Sequence, residues 1–326
     1  MSLIIAKTPL RISFIGGGTD LPTFYNKNGY GSVISTSIDK YVYIILNKSF
    51  EKVYKLTYSE NEKIHDIKEI QHNLIRECFK YCKVDEYIEL KSIGDIPSKG
   101  SGLGSSSAFT VSLFNALSVM KNVYNSKEVL AETACKIEIE HCKSPIGKQD
   151  QYAAAYGGLN KIDFHSDGGV KVCNLNSNRM FMQELQNHII ILNTGIQRSA
   201  NTVLRDQIAN LKDDEKYTNT KNILSLVECF QTALNDENVA EAAKIVEESW
   251  YLKKTLSSNI SNDQIDDAYE LARTHGAWGG KLLGAGNGGY LLLFAPPNKH
   301  NAIKAAIGWE QLQVSFDYEG ARILTC

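Results

Sequence analysis

Apolar positions along this chain repeat with two different periods, one typical of strands and one typical of helices. Short β-branched, aromatic or leucine-rich runs predict strands at residues 9–15, 41–46, 87–91, 188–193, 290–294 and 312–316. Helical spacing of apolar residues predicts helices at 67–83, 105–120, 126–142, 299–308 and in several pieces between 199 and 275. The chain therefore mixes helices and strands from end to end.

The order of these elements indicates the fold class. Strands and helices do not alternate as regular β-α-β units, so we expect an α+β protein with mixed sheets packed against helices. The length of 326 residues exceeds what one compact core usually holds. We therefore predict two closely packed lobes, residues 1–180 and 181–326, with no low-complexity linker between them.

Composition and charge exclude several functional classes. The chain is 43% hydrophobic and 22% charged, which is typical of a globular protein. Its 35 Lys and Arg residues against 37 Asp and Glu residues give a net charge of -2, so no overall basic field favours nucleic acid or an anionic membrane. The longest apolar runs are too short to cross a bilayer, and no signal segment opens the chain. We expect a cytoplasmic protein.

Cysteine and histidine give little support for a metal centre. The seven cysteines are scattered without CxxC pairs, which favours reduced thiols over a disulfide framework. Cys78 and Cys82 lie four residues apart, but no second ligand pair follows them, as a zinc site would need.

The most informative stretch is PSKGSGLGSSSA at residues 97–108, which leads directly into a predicted helix. Glycines let backbone N–H groups converge on one point, and the start of a helix adds unpaired donors. The stretch predicts a phosphate-binding loop, with a serine-rich surface loop that caps a helix as the alternative. It lacks the GxxxxGK[ST] pattern, so a Walker-type ATPase is not expected.

Two further glycine-rich segments precede or follow predicted strands. Residues 276–289 contain seven glycines just before the strand at 290–294, more than a hairpin turn needs, so we expect close approach to a ligand there. Residues 16–20, GGGTD, follow the first strand. Asp20 is placed either to accept hydrogen bonds from sugar hydroxyls or to form an Asx turn.

Together, PLRISFIGGGTD, PSKGSGLGSSSA and KLLGAGNGGYLLL resemble the three motifs of the galactokinase, homoserine kinase, mevalonate kinase and phosphomevalonate kinase (GHMP) superfamily. Within it, GGGTDLP and IGKQDQYAAAYGGLN are most similar to bacterial D-glycero-D-manno-heptose 7-phosphate kinases. The resemblance implies a two-lobed fold with the active site in the cleft between the lobes. Galactokinases carry Glu-His-Thr-Asp where this chain has Gly17-Gly18-Thr19-Asp20, which disfavours galactose as the substrate.

The resemblance also implies catalytic roles. Asp150 matches the aspartate that orients and deprotonates the acceptor hydroxyl, and Arg11 matches a basic residue that stabilises the transferred phosphoryl group. Mg²⁺ would be held by Ser106 and Glu138, with Glu140 as the rival carboxylate, since the two glutamates point about 200° apart on a helix. The ATP-binding residues, in the N-terminal lobe, would be Lys99, Gly100, Ser101, Gly102, Leu103, Gly104, Ser105, Ser106 and Ser107.

The acceptor site is expected to combine the glycine-rich segments with basic side chains. Its implied residues are Gly17, Gly18, Thr19, Asp20, Lys148, Arg198, Lys281, Gly284 and Gly286. A phosphorylated sugar would need a Lys or Arg near the cleft, and the candidates are Lys7, Lys148, Arg198 and Lys281.

The implied reaction is ATP- and magnesium-dependent phosphorylation of the anomeric (C1) hydroxyl of D-glycero-D-manno-heptose 7-phosphate to the 1,7-bisphosphate, for GDP-heptose biosynthesis. Two alternatives stay open: a fucokinase-like kinase of an unphosphorylated sugar, and a non-catalytic nucleotide or sugar sensor with the same fold. A homodimer is a further option that the sequence leaves open.

Overall fold

The computed structural model describes residues 3–97, 100–176, 178–197 and 200–325. The strands are β1 (Ile4–Ile15), β2 (Tyr30–Lys48), β3 (Tyr54–Thr57), β4 (Asn61–Ile64), β5 (Ile88–Gly94), β6 (Leu159–His165), β7 (Val170–Asn174), β8 (Ile189–Asn193), β9 (Gly279–Leu282), β10 (Tyr290–Phe294) and β11 (Arg322–Thr325). The α-helices are α1 (Pro22–Asn28), α2 (Asn73–Tyr81), α3 (Ser105–Met120), α4 (Lys127–Cys135), α5 (Gln149–Tyr156), α6 (Arg179–Asn187), α7 (Ala200–Asn210), α8 (Asp214–Asn235), α9 (Val239–Thr255), α10 (Asp263–Thr274) and α11 (His300–Ile307). Two 3₁₀ turns lie at Ile67–Glu69 and Pro297–Lys299, and a π-helical segment at Lys136–His141 continues α4.

The long strand β2 organises the larger sheet. Its first part, residues 30–36, pairs with β6, and its last part, residues 42–48, pairs with β5, while β1 runs antiparallel along most of its other edge. The strand order is β11-β1-β2-β5-β3-β4, and β6 carries β7 on its far side. Only β3 and β5 pair in parallel among the described strands, so the sheet is mixed, as predicted.

The smaller sheet has the antiparallel order β8-β10-β9. Its central strand is the run YLLLF, in which every residue is buried. Continuous burial is expected for a central strand that is covered on both faces.

The two sheets share one core. The ring of Phe14 on β1 lies 5.7 Å from that of Phe230 on α8 and 6.0 Å from that of Phe294 on β10, which joins the larger sheet to the smaller one. Helix α3 is buried along almost its entire length, as its apolar composition requires. A second apolar cluster around Trp250 and Tyr269 fills the other face of the smaller sheet. The start of α3 is therefore held rigidly in the interior.

Several predicted elements are confirmed. The helix at 105–120 and the strand at 290–294 have the predicted bounds, and the helix at 126–142 is present, although its last part is π-helical. The helix predicted from residue 67 begins instead at Asn73, after a 3₁₀ turn. The predicted lobe boundary at residue 180 falls near the start of α6.

The strand predicted at 312–316 is wrong. This segment crosses from one sheet to the other: the backbone N–H of Leu312 donates to Ile191 of β8, whereas the carbonyl of Ser315 accepts from Asp39 of β2. A segment that divides its hydrogen bonds between two sheets cannot run along either of them. The last strand is β11, which pairs with β1.

In the described part of the chain, no helix combines the length and the apolar character that crossing a bilayer would require.

Candidate active site

The three glycine-rich segments meet around one cavity of about 370 Å³. Many residues singled out from the sequence line it: Arg11, Gly17, Gly18, Asp20, Gly100, Ser101, Gly102, Gly104, Ser105, Ser106, Ser107, Asp150, Lys281 and Gly284. Segments far apart in sequence therefore build a single pocket.

Along the chain, the first glycine-rich segment is at residues 16–20, the second at 97–108 and the third at 276–289. The backbones of the second and third segments are in direct contact. A β-carbon built on Gly102 would lie 2.6 Å from the carbonyl oxygen of Leu283, and one built on Gly284 would lie 2.5 Å from the α-carbon of Gly102. A β-carbon on Gly289 would lie 2.6 Å from the carbonyl oxygen of Ser101. Both Gly102 and Gly284 also have positive φ, at +71° and +73°. Only glycine permits this approach without displacing the backbone.

The loop before α3 has its own internal supports. The hydroxyl groups of Ser101 and Ser105 lie 3.0 Å apart, and the backbone N–H of Leu103 donates to Ser101 Oγ. The carbonyl of Leu103 accepts from the backbone N–H of Arg11 at 2.9 Å, which ties the loop to β1. Gly104 then starts α3 in a left-handed conformation, so the helix directs its positive end and unpaired N–H groups toward the loop. The arrangement favours anion binding.

A bidentate ion pair between Arg11 and Asp150 joins β1 to the first turn of α5. Arg11 Nε donates to Asp150 Oδ1 at 2.8 Å and Arg11 Nη2 donates to Asp150 Oδ2 at 2.7 Å. Arg11 Nη1 donates to the carbonyl of Gly102 at 2.5 Å. The Asp150 side chain stays 24% exposed, and it faces the cavity. The guanidinium fork thus fixes the carboxylate beside the phosphate-binding loop, because a planar fork matches a carboxylate in only a few orientations.

Glu138 lies beneath the serines at the start of α3. Its fully buried carboxylate accepts from Ser106 Oγ at 2.9 Å, from Ser107 Oγ at 2.8 Å and from Gln151 Nε2 at 2.5 Å. Burial raises the pKa of this carboxyl although the three donors oppose the shift. Glu140 is exposed on another face, so Glu138 is the glutamate that meets the loop.

The donor set around Ser106 fits a magnesium ion. Mg²⁺ prefers oxygen ligands and usually takes only one or two from the protein when it also binds nucleotide phosphates. The Glu138 carboxylate and the exposed Ser106 hydroxyl supply such oxygens. Within the described ranges, no group of three or more His, Cys, Asp or Glu side chains is placed to hold a metal ion.

Asp20 closes the cavity near the first glycine-rich segment. It is buried and accepts from the backbone N–H of Gly18 at 3.0 Å and from that of Gln149 at 3.5 Å. Burial, with the nearby charge of Asp150, raises the pKa of Asp20. A β-carbon on Gly147 would lie 1.9 Å from the carboxylate, so this position must be glycine. Asp20 is held where an acceptor hydroxyl could reach it.

Other predicted site residues lie elsewhere. Thr19 is buried and donates to the carbonyls of Gly16 and Ser32, Leu103 is buried under its loop, and Gly286 packs on Ile260. Lys148 donates to the carbonyl of Gly168 at 3.1 Å in a separate hollow, and Lys7 stacks on the ring of Tyr41. Lys99 and Arg198 lie outside the described residues.

The structure adds one cation that the sequence did not single out. Lys253, in the last turn of α9, lines the cavity beside Lys281, and both side chains are buried. Burial and the charge of Arg11 lower the pKa of Lys253 to about 8, and burial together with the charge of Lys253 lowers the pKa of Lys281 well below its usual value. Lys253 is followed by Lys254 on an otherwise mixed helix, so no sequence pattern marked it. Asn201, Leu204 and Gln207 of α7 also line the cavity.

Family models match both halves of the chain. The GHMP kinases N-terminal domain matches residues 67–158, and the GHMP kinases C-terminal domain matches residues 230–309. The chain is 30% identical to D-glycero-alpha-D-manno-heptose 7-phosphate kinase of Campylobacter jejuni, with 99% of each protein covered. It is 26% identical to galactokinase of Pyrococcus furiosus, with 96% of this chain and 94% of that protein covered.

Solved structures share the fold. A D-glycero-D-manno-heptose 1-phosphate kinase from Bacteroides thetaiotaomicron superposes with a TM-score of 0.78 at 21% identity, with 99% of each chain covered. The galactokinase of Lactococcus lactis in complex with galactose also gives a TM-score of 0.78, at 18% identity over 98% of this chain and 95% of that one.

Proposed function

Since the chain belongs to the GHMP kinase family, whose members use ATP as co-substrate, we propose that it phosphorylates the anomeric hydroxyl of a heptose 7-phosphate. The product is the heptose 1,7-bisphosphate. The observation that carries the proposal is the Asp150–Arg11 pair, which faces the same cavity as all three glycine-rich segments.

The chemical step is a displacement at the γ-phosphorus of ATP. The acceptor oxygen forms a new P–O bond while the bond to the β–γ bridging oxygen breaks, and its electron pair leaves with ADP. The acceptor proton passes to a carboxylate oxygen of Asp150, which is exposed to the cavity. Arg11 keeps that carboxylate oriented and places positive charge beside the transferred group.

The nucleotide side of the site is the loop at residues 100–107. Its backbone N–H groups and the start of α3 bind the phosphates of ATP. Glu138 and Ser106 hold Mg²⁺, which when bound neutralises charge on the phosphate oxygens. The hydrogen bonds from Ser106 and Ser107 to Glu138 support this assignment because they fix the carboxylate next to the loop.

A phosphorylated acceptor is supported by the charges in the cavity wall and by one relative. Arg11, Lys253 and Lys281 place three basic side chains in the cavity wall, against the two carboxylates of Asp20 and Asp150. An excess of basic over acidic side chains suits two polyanionic ligands better than one, because phosphate oxygens stabilise the charged form of each base. The C. jejuni relative, which matches over the full chain, is named as a heptose 7-phosphate kinase.

The acceptor is tested by ADP release from purified protein with D-glycero-D-manno-heptose 7-phosphate, the free heptose, fucose and galactose. We expect kcat/KM for the heptose 7-phosphate to exceed that for each free sugar by at least about 100-fold, because a charged pocket left without its phosphate loses strong hydrogen bonds. Preference for free fucose would instead support the fucokinase-like alternative.

Catalysis itself is tested with Asp150→Asn, which removes the charge at nearly constant volume. We expect kcat to fall about 10²-fold or more through loss of the general base, while ADP affinity stays near that of the wild type. Equal turnover by the variant would remove Asp150 from the mechanism. Binding of nucleotide and sugar by the wild type without any turnover would identify a sensor.

A further inference from the structure

The ammonium group of Lys253 lies where the glycine-rich segments meet. Its Nζ donates to the carbonyl oxygen of Gly284 at 2.6 Å, and a β-carbon on Gly17 would lie 4.0 Å from Nζ. Gly284 in turn packs on Gly102 of the phosphate-binding loop. The ammonium therefore lies between Gly17 and Gly284, and Gly284 itself touches the phosphate-binding loop.

Four charged side chains influence this ammonium. Arg11 from β1 and Lys281 from β9 repel it, whereas Asp20, after β1, and Asp150, from α5, attract it. Asp150 is already neutralised by Arg11. Across the described ranges Lys253 forms no ion pair, and its single hydrogen bond leaves two N–H groups for a ligand.

A purely structural role does not account for a buried charge here. Burying an ammonium without a carboxylate partner costs free energy, and one hydrogen bond to a carbonyl does not offset that cost. The carbonyl of Gly284 could accept equally well from a neutral donor. A buried cation that lines a cavity is therefore explained best by an anionic ligand in that cavity.

We propose that Lys253 is a catalytic residue that binds the phosphoryl group while it moves from ATP to the acceptor. The inference rests on the proposed kinase function and adds a residue to it. As the P–O bond to ADP breaks and the bond to the acceptor oxygen forms, negative charge spreads over the equatorial and leaving oxygens. Lys253, which lines the cavity and keeps two N–H groups for a ligand, neutralises part of that charge.

The test compares Lys253→Met with the matched control Lys254→Met. Lys254 is the next residue on α9, and its ammonium pairs with Asp266 outside the cavity. We expect kcat of the Lys253 variant to fall on the order of 10²-fold, the size found when one donor to a developing charge is removed, with KM values within about threefold of the control.

Binding of a transition-state mimic gives a second readout that requires no sugar. The complex of ADP with aluminium fluoride imitates a phosphoryl group in transfer. We expect Lys253→Met to weaken this complex on the order of 10²-fold while ADP alone binds within about twofold of the control. If the wild-type protein does not phosphorylate heptose 7-phosphate, the sugar assignment is wrong. Binding of the ADP–aluminium fluoride complex still decides the role of Lys253, because it requires no sugar.

The pH profile gives a third readout. Because the pKa of Lys253 is about 8, its charge is present below that pH and lost above it. In the wild type kcat/KM should fall above about pH 8, and in the Lys253 variant this alkaline limb should vanish.

Three results would overturn the proposal. Turnover by Lys253→Met within threefold of Lys254→Met would show that the charge is not used. A defect confined to KM for the phosphorylated acceptor would assign Lys253 to the acceptor phosphate instead. If Lys253→Met weakened the binding of ADP and of the ADP–aluminium fluoride complex by the same factor, Lys253 would have a structural role in the phosphate-binding loop.

Discussion

At the level of single residues, no cationic side chain in the described part of the chain is bonded to the fully buried Glu138. Three neutral donors hold its carboxylate, and its raised pKa reflects the cost of burying the charge. A bound divalent ion would offset this cost. We therefore attribute the buried carboxylate to the proposed magnesium site and not to the stability of the fold.

Replacing Glu138 by Gln should weaken magnesium binding and leave the fold intact. We expect the Mg²⁺ concentration for half-maximal activity to rise at least about 10-fold, since a ligand charge is lost. The unfolding temperature should not fall, because the buried charge is removed at nearly constant volume. Activity titrated with MgCl₂ and a thermal melt measure the two effects.

Glu140→Gln is the control, since it makes the same change two residues away on the exposed face. The same magnesium dependence in both variants would exclude Glu138 as a ligand.

The residues that carry the proposed chemistry differ in how far the sequence revealed them. Arg11, Asp20 and Asp150 were identified because each lies in or beside a segment that resembles a family motif, and the structure brings them to one cavity. Lys253 was not identified from the sequence, because a lysine on a helix is usually a solvated surface residue. Its burial depends on how α9 packs against β9 and β1, which no local pattern encodes.

At the level of elements, the second and third glycine-rich segments act as one unit. Their backbones are too close for any side chain between them, so the position of one segment fixes the position of the other. This contact ties the C-terminal half of the chain to the proposed ATP-binding loop at residues 100–107.

Replacing Gly102 by Ala should separate these segments and weaken ATP binding. The new methyl group would meet the carbonyl of Leu283, and a positive φ adds strain of about 1 kcal/mol. We expect KM for ATP to rise on the order of 10-fold, because phosphate binding depends on aligned N–H groups. Steady-state kinetics with varied ATP measure it.

Gly195→Ala is the control that distinguishes backbone strain at a positive φ from the steric clash with Leu283. Gly195 has the same φ of +71°, but no atom lies within 4 Å of a β-carbon there. A similar change in KM for ATP in both variants would show that strain, and not the contact between segments, is responsible.

Elements with a strong local pattern were predicted well, and those that depend on distant partners were not. Strand β10 is apolar throughout and lies between Gly289 and Ala295, helix α3 is rich in apolar residues and starts after Gly104, and both have the predicted limits. The segment 312–316 alternates like a strand, but its hydrogen bonds go to two different sheets. The π-helical turn at Lys136–His141 was not predicted either, since an extra residue in one turn changes the spacing of apolar positions only slightly.

At the level of the whole molecule, the C-terminal segment at residues 311–325 connects the two sheets. Gln311 bridges to Leu192 in the smaller sheet, Phe316 bridges to Ile38 in the larger sheet, and β11 then pairs with β1. The strand that carries Arg11 is therefore flanked on one side by the last residues of the chain.

Asp317 holds this segment in place, and its replacement by Ala should destabilise the protein. Its buried carboxylate accepts from Tyr41 Oη at 2.9 Å, from Arg322 Nη1 at 3.2 Å and from the backbone N–H of Gly320 at 2.8 Å. Leaving these donors unpaired should lower the free energy of unfolding by about 2 kcal/mol. Urea unfolding measures the change.

Asp39→Ala is the comparison, because Asp39 also bonds the segment, through the N–H of Ser315, but its side chain is 36% exposed. We expect a smaller loss, since water can replace the partner of an exposed group. A larger loss of unfolding free energy for Asp39→Ala than for Asp317→Ala would contradict the proposal that Asp317 holds the C-terminal segment in place.

The face that α7 presents to the cavity has a consequence for protein engineering. Asn201, Leu204 and Gln207 recur every three residues on one side of that helix, and none of them belongs to a glycine-rich segment or to the Asp150–Arg11 pair. A library restricted to these three codons would reshape one wall of the cavity while the residues of the glycine-rich segments and the Asp150–Arg11 pair stay as they are. Evolution toward a new acceptor could follow the same short route.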